Sequence, residues 1–197
     1  MSRTHRAARL ATWVLLAAGF LALGYAAYVV VDARAYQAIE QRRLEHARHS
    51  ADVVPLSNAV IAPLEGDTIG EIQIPRLALT AIVSQGDSVA ILRRAVGHIA
   101  DTALPGEVGN VVLAGHRDTF FRSLKGVYPG DAITLSTRTG DFEYVVESTT
   151  VVPPSDIQVL AATGGRTLTL ITCFPFSYIG SAPDRFIVRA RERERPR

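Results

Sequence analysis

The hydrophobic residues of this chain follow two different patterns, which change near residue 32. Residues 10–31 form one uncharged run, LATWVLLAAGFLALGYAAYVVV, about as long as the roughly 20 residues with which a helix crosses a bilayer. From residue 70 onward, short apolar runs alternate with turn signals instead. The two patterns predict one membrane-spanning helix followed by a domain of short strands.

The second pattern favours an all-β domain, either a sandwich or a barrel. Its apolar runs are EIQIPRL, TAIVSQ, NVVLAG, DAITLST, DFEYVVESTTVV, RTLTLIT and DRFIVRA. No long helical segment separates them, so a parallel sheet built from βαβ units is not expected. Short helical turns are predicted only in SVAILRR and in DTFFRSL, which follows His116, and Pro75 is expected to end the EIQI strand.

The charges around the apolar run indicate an orientation. Three arginines lie within residues 1–9, whereas one acid and one arginine directly follow the run. Residues 1–9 are therefore expected in the cytoplasm and the rest of the chain outside it. A cleaved signal peptide is the alternative, because Ala-Arg-Ala at residues 33–35 imitates a cleavage site. The run exceeds the about 7 to 15 apolar residues of a signal core, so we predict a single-pass anchor at residues 10–31.

The segment between the anchor and the strands has its own composition. Residues 33–51 are rich in charged and helix-forming residues without a strong apolar stripe, which predicts a stalk helix surrounded by solvent. Prolines 55 and 63 then mark a linker, so that stalk and linker together span residues 32–67. The domain of short strands is placed at residues 68–191 and a charged tail at residues 192–197.

Charge and cysteine content exclude some classes of protein. The net charge of +2 mixes both signs along the chain, and no basic run is interleaved with aromatics, so nucleic acid is not an expected partner. Cys173 is the one cysteine, so no intramolecular disulfide can form. In an exported protein a free thiol is exposed to oxidation and is a liability unless it has a chemical role. The alternative is a small buried hydrophobe, which most single cysteines are.

Three reactive side chains stand at predicted strand ends. Cys173 closes the run LTLIT before a Phe-Pro-Phe sequence that should stop the strand. His116 follows the run NVVLAG, after Gly115, which permits close approach of the backbone. Arg185 begins the run RFIVRA, twelve residues after Cys173. If the strands that carry Cys173 and Arg185 pair as a hairpin, the two residues become neighbours.

A thiol, an imidazole and a guanidinium suit acyl transfer for separate reasons. A neighbouring cation favours the thiolate, which attacks an amide carbonyl. A histidine supplies the proton that a departing amine needs and later accepts one from the incoming nucleophile. A guanidinium aimed at the developing oxyanion is worth about 3 to 4 kcal/mol where the geometry is good. Cys173, His116 and Arg185 are thus candidate catalytic residues.

Each of these side chains also has a structural interpretation. His116 alone fits a hydrogen-bonded turn histidine, and Arg185 fits an ion-pair partner of Asp184 or Glu192. His98, within AVGHI, is interpreted as a structural histidine or one at the rim of the site. Spacing within the sequence does not decide between these roles and catalysis.

The local sequences together resemble those of sortases. TLITC at residues 169–173, GNVVLAGHRDTFF around His116 and APDRFIV around Arg185 carry the likeness, which extends from about residue 70 to 190, roughly three-fifths of the chain. HRDTFF and CFPFSYIGSAP are most similar to class D. The resemblance implies a closed eight-stranded β-barrel in which Cys173 is the nucleophile, His116 the family histidine and Arg185 the arginine that completes the site.

The resemblance also implies a reaction and partners. A sortase cleaves a Leu-Pro-x-Thr-Gly-like signal of an exported protein after the threonine, forms a thioacyl intermediate and transfers the acyl group to an amine of cell-wall peptide or of a pilin lysine. The loop at residues 153–166 lies where the family reads its signal, without individual contacts assigned. Asp156 is the one acid in that loop, so no metal and no cofactor are expected.

Other families of exported cysteine enzymes would show different sequence motifs. An L,D-transpeptidase would show a Ser-x-Gly-Cys element, and a papain-like peptidase would place its cysteine before its histidine at a helix N-terminus. Here Cys173 follows His116 and ends a strand. A membrane-tethered β-barrel scaffold without activity is the alternative outside the enzymes, although all three reactive residues are present.

Overall fold

The chain folds into one long helix followed by a closed β-barrel. The computed structural model describes residues 3–51, 62–177 and 180–193. Helix α1 spans Arg3–Ala51 and α2 spans Val89–Leu92, with 3₁₀ turns at Pro75–Leu77, Arg122–Gly126 and Ile157–Leu160. The strands are β1 Thr68–Ile74, β2 Leu79–Gln85, β3 Val96–His98, β4 Gly109–Ala114, β5 Ala132–Thr137, β6 Asp141–Val152, β7 Arg166–Phe174 and β8 Asp184–Glu192.

The eight strands close in the order β1-β2-β3-β4-β7-β8-β6-β5, and β5 pairs back onto β1. Neighbours are antiparallel except for β2 with β3 and β4 with β7, which run parallel. Closure leaves no unpaired strand edge, which is the reason such short strands form a stable unit. The predicted closed eight-stranded barrel is confirmed.

The barrel interior is filled by every second residue of the strands. Each strand contributes alternate apolar side chains because successive residues point to opposite faces. Fully buried examples are Ile72, Ile74, Val111, Leu113, Ile133, Leu135, Leu168, Leu170 and Val188. Phe121 and Leu124, from the segment after β4, pack against the same core. Each such side chain contributes about 1.5 to 3 kcal/mol of burial free energy, so the core holds the fold without a disulfide.

Helix α1 has two parts with different surroundings. Its apolar part is long enough to cross a bilayer, and its most apolar window has a mean hydropathy of 2.2 and is not buried inside the molecule. The part after residue 31 packs against the barrel: Leu44 is 6% exposed, and Tyr36 Oη lies 3.1 Å from Ser84 Oγ. Gln37 accepts from Ile82 N and donates to Arg94 O.

The predicted stalk is therefore helical, but the expectation that solvent surrounds it is wrong on the face that docks. The docking side chains are mostly polar and form hydrogen bonds and ion pairs, such as that between Arg94 Nε and Asp32 Oδ2 at 2.6 Å. Such a face leaves no apolar stripe in the sequence, because hydrogen bonds rather than apolar burial make most of its contacts.

The structure also bears on several smaller predictions from the sequence. Pro75 ends β1 and opens a 3₁₀ turn, SVAILRR contains α2, and DTFFRSL runs into the second 3₁₀ turn. Most of the predicted linker, at residues 52–61, and residues 194–197 of the tail lie outside the described residues. Glu192, assigned to the tail from sequence, is the last residue of β8.

Candidate active site

The hairpin of β7 and β8 brings the thiol and one arginine together. Cys173 is the register partner of Arg185 in this antiparallel pair, so the two Cα atoms lie opposite each other. Both side chains are half-buried near the end of their strands. The predicted hairpin pairing is confirmed, and it places a guanidinium-bearing residue directly beside the cysteine.

His116 reaches the same level through the parallel pairing of β4 with β7. Ala114 is the register partner of Ile171, and Gly115 N donates to Ile171 O at 3.1 Å. Thr172 Oγ1 in turn donates to Gly115 O at 2.7 Å. These two bonds continue the register one residue past the strand, so His116 stands level with Cys173 on the neighbouring chain segment.

Strand alternation places the three residues on one side of the barrel wall. Leu170 packs in the core, so Cys173, an odd number of residues further along β7, lies on the outer face. The position of Gly115 points inward, because a Cβ atom there would lie 2.7 Å from the buried ring of Phe121. The next residue, His116, is therefore directed outward, and it is exposed.

The Arg185 guanidinium is held by its own loop. Nη1 donates to the backbone carbonyls of Asp184 at 3.0 Å and Ala182 at 3.4 Å. Among the described residues, Arg185 forms no ion pair with either acid that the sequence offered, Asp184 or Glu192. The cation is thus positioned by carbonyl groups, and its other N–H donors remain available to a bound anion.

Arg117 is a residue of this region that sequence reasoning missed. It is 6% exposed, and its Nη1 and Nη2 donate to Pro175 O and Gly180 O, both at 3.0 Å. Its Nε lies 3.5 Å from Asp118 Oδ1. Arg117 thereby ties the turn that begins at His116 to the loop that separates β7 from β8.

Sequence patterns held no signal for this role. An arginine in a turn next to an acid is usually a solvated cation, since charged side chains are rarely buried unless they are paired.

Asn110 anchors the loop between β6 and β7 on the outer face. Its side chain is 1% exposed, and Nδ2 donates to Val159 O at 3.0 Å and Ala161 O at 3.3 Å. Oδ1 accepts from Thr169 Oγ1 at 2.7 Å. The later part of the loop therefore lies against the outer face of β4 and β7, while its first part begins after Val152, the register partner of Arg185.

Asp156 has a local structural contact in that loop. Its carboxylate accepts from Gln158 N at 3.1 Å and caps the 3₁₀ turn Ile157–Leu160. In the described ranges, no group of three His, Cys, Asp or Glu side chains is arranged to hold a metal ion.

Three aromatic rings pack together behind the β7–β8 hairpin. The ring centroids of Phe174 and Phe186 are 6.2 Å apart in a stacked arrangement, and Phe176 meets Phe186 edge-on at 5.3 Å. Phe174 and Phe186 follow Cys173 and Arg185 directly in β7 and β8, so strand alternation turns them to the inner face of the hairpin. Phe176 and Phe186 pack against the barrel core and stabilise the end of the hairpin that carries the site.

His98 is structural, as expected. It is 1% exposed in β3, with Nδ1 2.8 Å from Gln85 Oε1 and Nε2 3.0 Å from Ala103 O. Burial lowers the pKa of the imidazole because desolvation penalises the charged form, although the Ala103 carbonyl acts in the opposite direction. His98 thus holds the β3–β4 connection rather than the site.

Fold and site together define a closed β-barrel with a cysteine-centred site on its outer face, flanked by a histidine and an arginine. The Sortase domain model matches residues 72–193. The chain belongs to the sortase family.

Individual relatives support this membership. Sortase D of Bacillus subtilis (strain 168) is 30% identical over 185 residues, which cover 88% of this chain and 93% of that protein. The structure of a Clostridium perfringens Sortase D5 transpeptidase has a TM-score of 0.66 at 27% identity, covering 82% of this chain and 98% of that one. The class D resemblance is consistent with both. Clostridium perfringens sortase C, solved with the C-terminal cell wall sorting motif, has a TM-score of 0.63 at 26% identity, with coverage of 78% and 85%.

Proposed function

We propose that this chain is a membrane-anchored sortase-type transpeptidase in which Cys173 is the nucleophile, His116 the proton donor and acceptor, and Arg185 the oxyanion-stabilising cation. The observation that carries the proposal is the strand register, which pairs Cys173 with Arg185 and brings His116 to the same level. Family membership adds that sortases are transpeptidases.

In the first half of the reaction, the Cys173 thiolate attacks the threonine carbonyl carbon of a Leu-Pro-x-Thr-Gly-like signal. A C–S bond forms and the carbonyl π electrons move to oxygen, where the Arg185 guanidinium stabilises the negative charge. The intermediate collapses, the C–N bond breaks, and the departing amine takes a proton from His116. The products are a thioacyl enzyme and the released C-terminal fragment.

In the second half, an amine attacks the thioacyl carbon. His116 accepts the proton that the amine loses, and the thiolate of Cys173 leaves as the new amide bond forms. Atoms and charges return to their initial state, so the cycle needs no cofactor. We propose a cell-wall peptide amine or a pilin lysine as acceptor, and water in its place would give hydrolysis.

The β6–β7 loop connects the site to the outer face of the barrel. It begins directly after Val152, the register partner of Arg185, and its later part is bound by Asn110 on β4. A neighbour of this chain, sortase C of Clostridium perfringens, was solved with a C-terminal cell wall sorting motif. We propose that the loop at residues 153–166 reads the corresponding signal here.

We also propose a location. The apolar part of α1 anchors the chain as a single span, with residues 1–9 cytoplasmic and the barrel outside, where it meets exported proteins. The heavier positive charge before the span supports this orientation.

The test uses the full chain in detergent, because residues after 31 of α1 pack on the barrel. It is incubated with a Leu-Pro-x-Thr-Gly-like peptide and an amine, and intact mass spectrometry measures the thioacyl adduct. The adduct should form, and it should be absent in Cys173→Ala. His98→Gln, outside the site, serves as the matched histidine control for His116→Gln, which should lower turnover at least 100-fold.

Two results would contradict the proposal. Peptide turnover by Cys173→Ala at the wild-type rate would show that Cys173 is not the nucleophile. A folded chain that forms no adduct with any member of a sorting-signal peptide library would instead favour the inactive scaffold.

A further inference from the structure

A second groove lies between α1 and the barrel, outside the cysteine site. It has a volume of roughly 810 Å³. One wall is a single face of α1, with residues at helical spacing such as Val29, Ala33 and Gln37. The opposite wall combines the start of β2, the residue after α2 and the segment that follows His116, including Phe120.

Charges around this groove are all of one sign. Four basic side chains line it, and no acidic residue does: Arg34, Arg93, Arg122 and Lys125. All four are exposed, and none forms an ion pair with an acid in the described ranges. The nearby carboxylate of Asp32 is already bound by Arg94, at 2.6 and 3.1 Å. The groove therefore attracts an anion that the protein itself does not supply.

Helix α1 determines how far the groove lies from the membrane-spanning part of the chain. Val29 and Val30 belong both to the apolar run and to the groove, which continues along α1 to Gln41. At 1.5 Å per residue this is about 18 Å of helix. A helix that buries its apolar run in the bilayer core places the residues directly after it in the headgroup region, which is several ångströms thick. The membrane end of the groove, with Arg34 three residues after the apolar run, would then lie at the level of the lipid headgroups.

Hydrogen bonds and an ion pair between α1 and the barrel fix the barrel next to the end of the apolar run. Tyr36 contacts Ser84, Gln37 bonds to Ile82 and Arg94, and Arg94 binds Asp32 at the membrane end of the docked segment. These contacts lie within two turns of the end of the apolar run, so the groove keeps its shape where it opens toward the membrane.

We propose that this groove binds the phosphate headgroup of an anionic membrane phospholipid. Guanidinium and ammonium groups bind phosphate oxygens through charge-assisted hydrogen bonds. Val29, Val30 and Phe120 offer an apolar surface for the start of an acyl chain. The inference rests on the proposed membrane anchoring and extends it, because it assigns a lipid class to the barrel side of the anchor.

The test compares three full-length proteins in phosphatidylcholine vesicles: wild type, Arg93→Gln/Lys125→Gln, and the matched control Arg138→Gln/Arg166→Gln, whose exposed arginines lie outside the groove. Electron spin resonance of spin-labelled phosphatidylglycerol and spin-labelled phosphatidylcholine measures the relative association constant of the two lipids with each protein. The arginines of residues 1–9 are the same in all three, so their attraction cancels.

Wild type should prefer phosphatidylglycerol several-fold, and 1 M salt should weaken the preference. The groove variant, which lacks two of the four basic groups, should lower this preference at least twofold, whereas the control should match wild type. The proposed lipid site would be overturned if both variants lowered the preference for phosphatidylglycerol equally, or if wild type showed no such preference. Vesicle flotation separates this from the anchoring: a chain that does not float with vesicles contradicts the anchor itself.

Discussion

The contacts of Arg117 allow a quantitative test of how the site is held together. Arg117→Met keeps a long apolar side chain but removes the donors to Pro175 O and Gly180 O, both at 3.0 Å. A hydrogen bond to a charged group contributes about 1.5 to 3 kcal/mol, so two contribute about 3 to 6 kcal/mol. Removing a buried cation offsets part of this loss. We expect a net cost of about 2 to 4 kcal/mol.

That cost falls on the loop between β7 and β8, next to Cys173 and Arg185. If loop and barrel unfold together, the thermal midpoint should drop by about 4 to 16 °C, given about 2 to 4 °C per kcal/mol at this chain length. If the loop opens by itself, amide exchange at its described residues, 176–177 and 180–182, should accelerate instead. In both cases kcat/KM for the sorting-signal peptide should fall.

Calorimetry, hydrogen exchange and peptide kinetics on the same protein distinguish these cases. Arg122→Met, at an exposed position of the following 3₁₀ turn, is the matched control and should change stability by less than about 0.5 kcal/mol. An Arg117→Met protein with unchanged midpoint, exchange and kinetics would refute the assignment of Arg117 as the tie between the two loops.

Two further predictions concern stability and pH. Burial lowers the pKa of His98 below 6.5, so the unfolded state takes up its proton first as pH falls. Unfolding free energy from urea titrations should therefore decrease below about pH 6.5, and His98→Gln should flatten that decrease; an unchanged slope in the variant would contradict it. The Arg76 guanidinium lowers the pKa of the buried Asp131 carboxyl, whose stabilisation is present above its unfolded value of 3.8 and is lost as pH falls through the folded pKa. Asp131→Asn should cost about 2 kcal/mol at pH 7 by chemical denaturation and show a shallower acid transition than wild type, whereas parallel acid transitions would argue against the ion pair.

Local patterns predicted the elements well because they depend on residues close in the chain. Alternation of apolar residues from residue 70 onward predicted the strands, and the long apolar run predicted α1. Pro75 ended β1 as expected, since proline cannot donate to a strand ladder. The stalk was predicted as a helix, but its docking was not, because its contacts are hydrogen bonds between polar groups far apart in sequence, as between Gln41 and Glu71.

The candidate site also contains residues that local sequence patterns predicted and residues that they did not. The sequence showed that three reactive residues lie at strand ends: Cys173, His116 and Arg185. The resemblance to sortase motifs then implied that these three residues act together. The buried Arg117 and Asn110 were not visible, because a charged or amide residue in a sequence carries no mark of burial. Their partners lie 49 to 63 residues away along the chain.

The sequence by itself determined the alternation that makes strands, the apolar span, the absence of a disulfide and the identity of the reactive side chains. Only the tertiary structure decided which strands are neighbours and in what register, and so which residues share one face of the barrel. The physical reason is that register depends on the simultaneous packing of a closed core, in which a shift by one residue would turn every buried side chain outward.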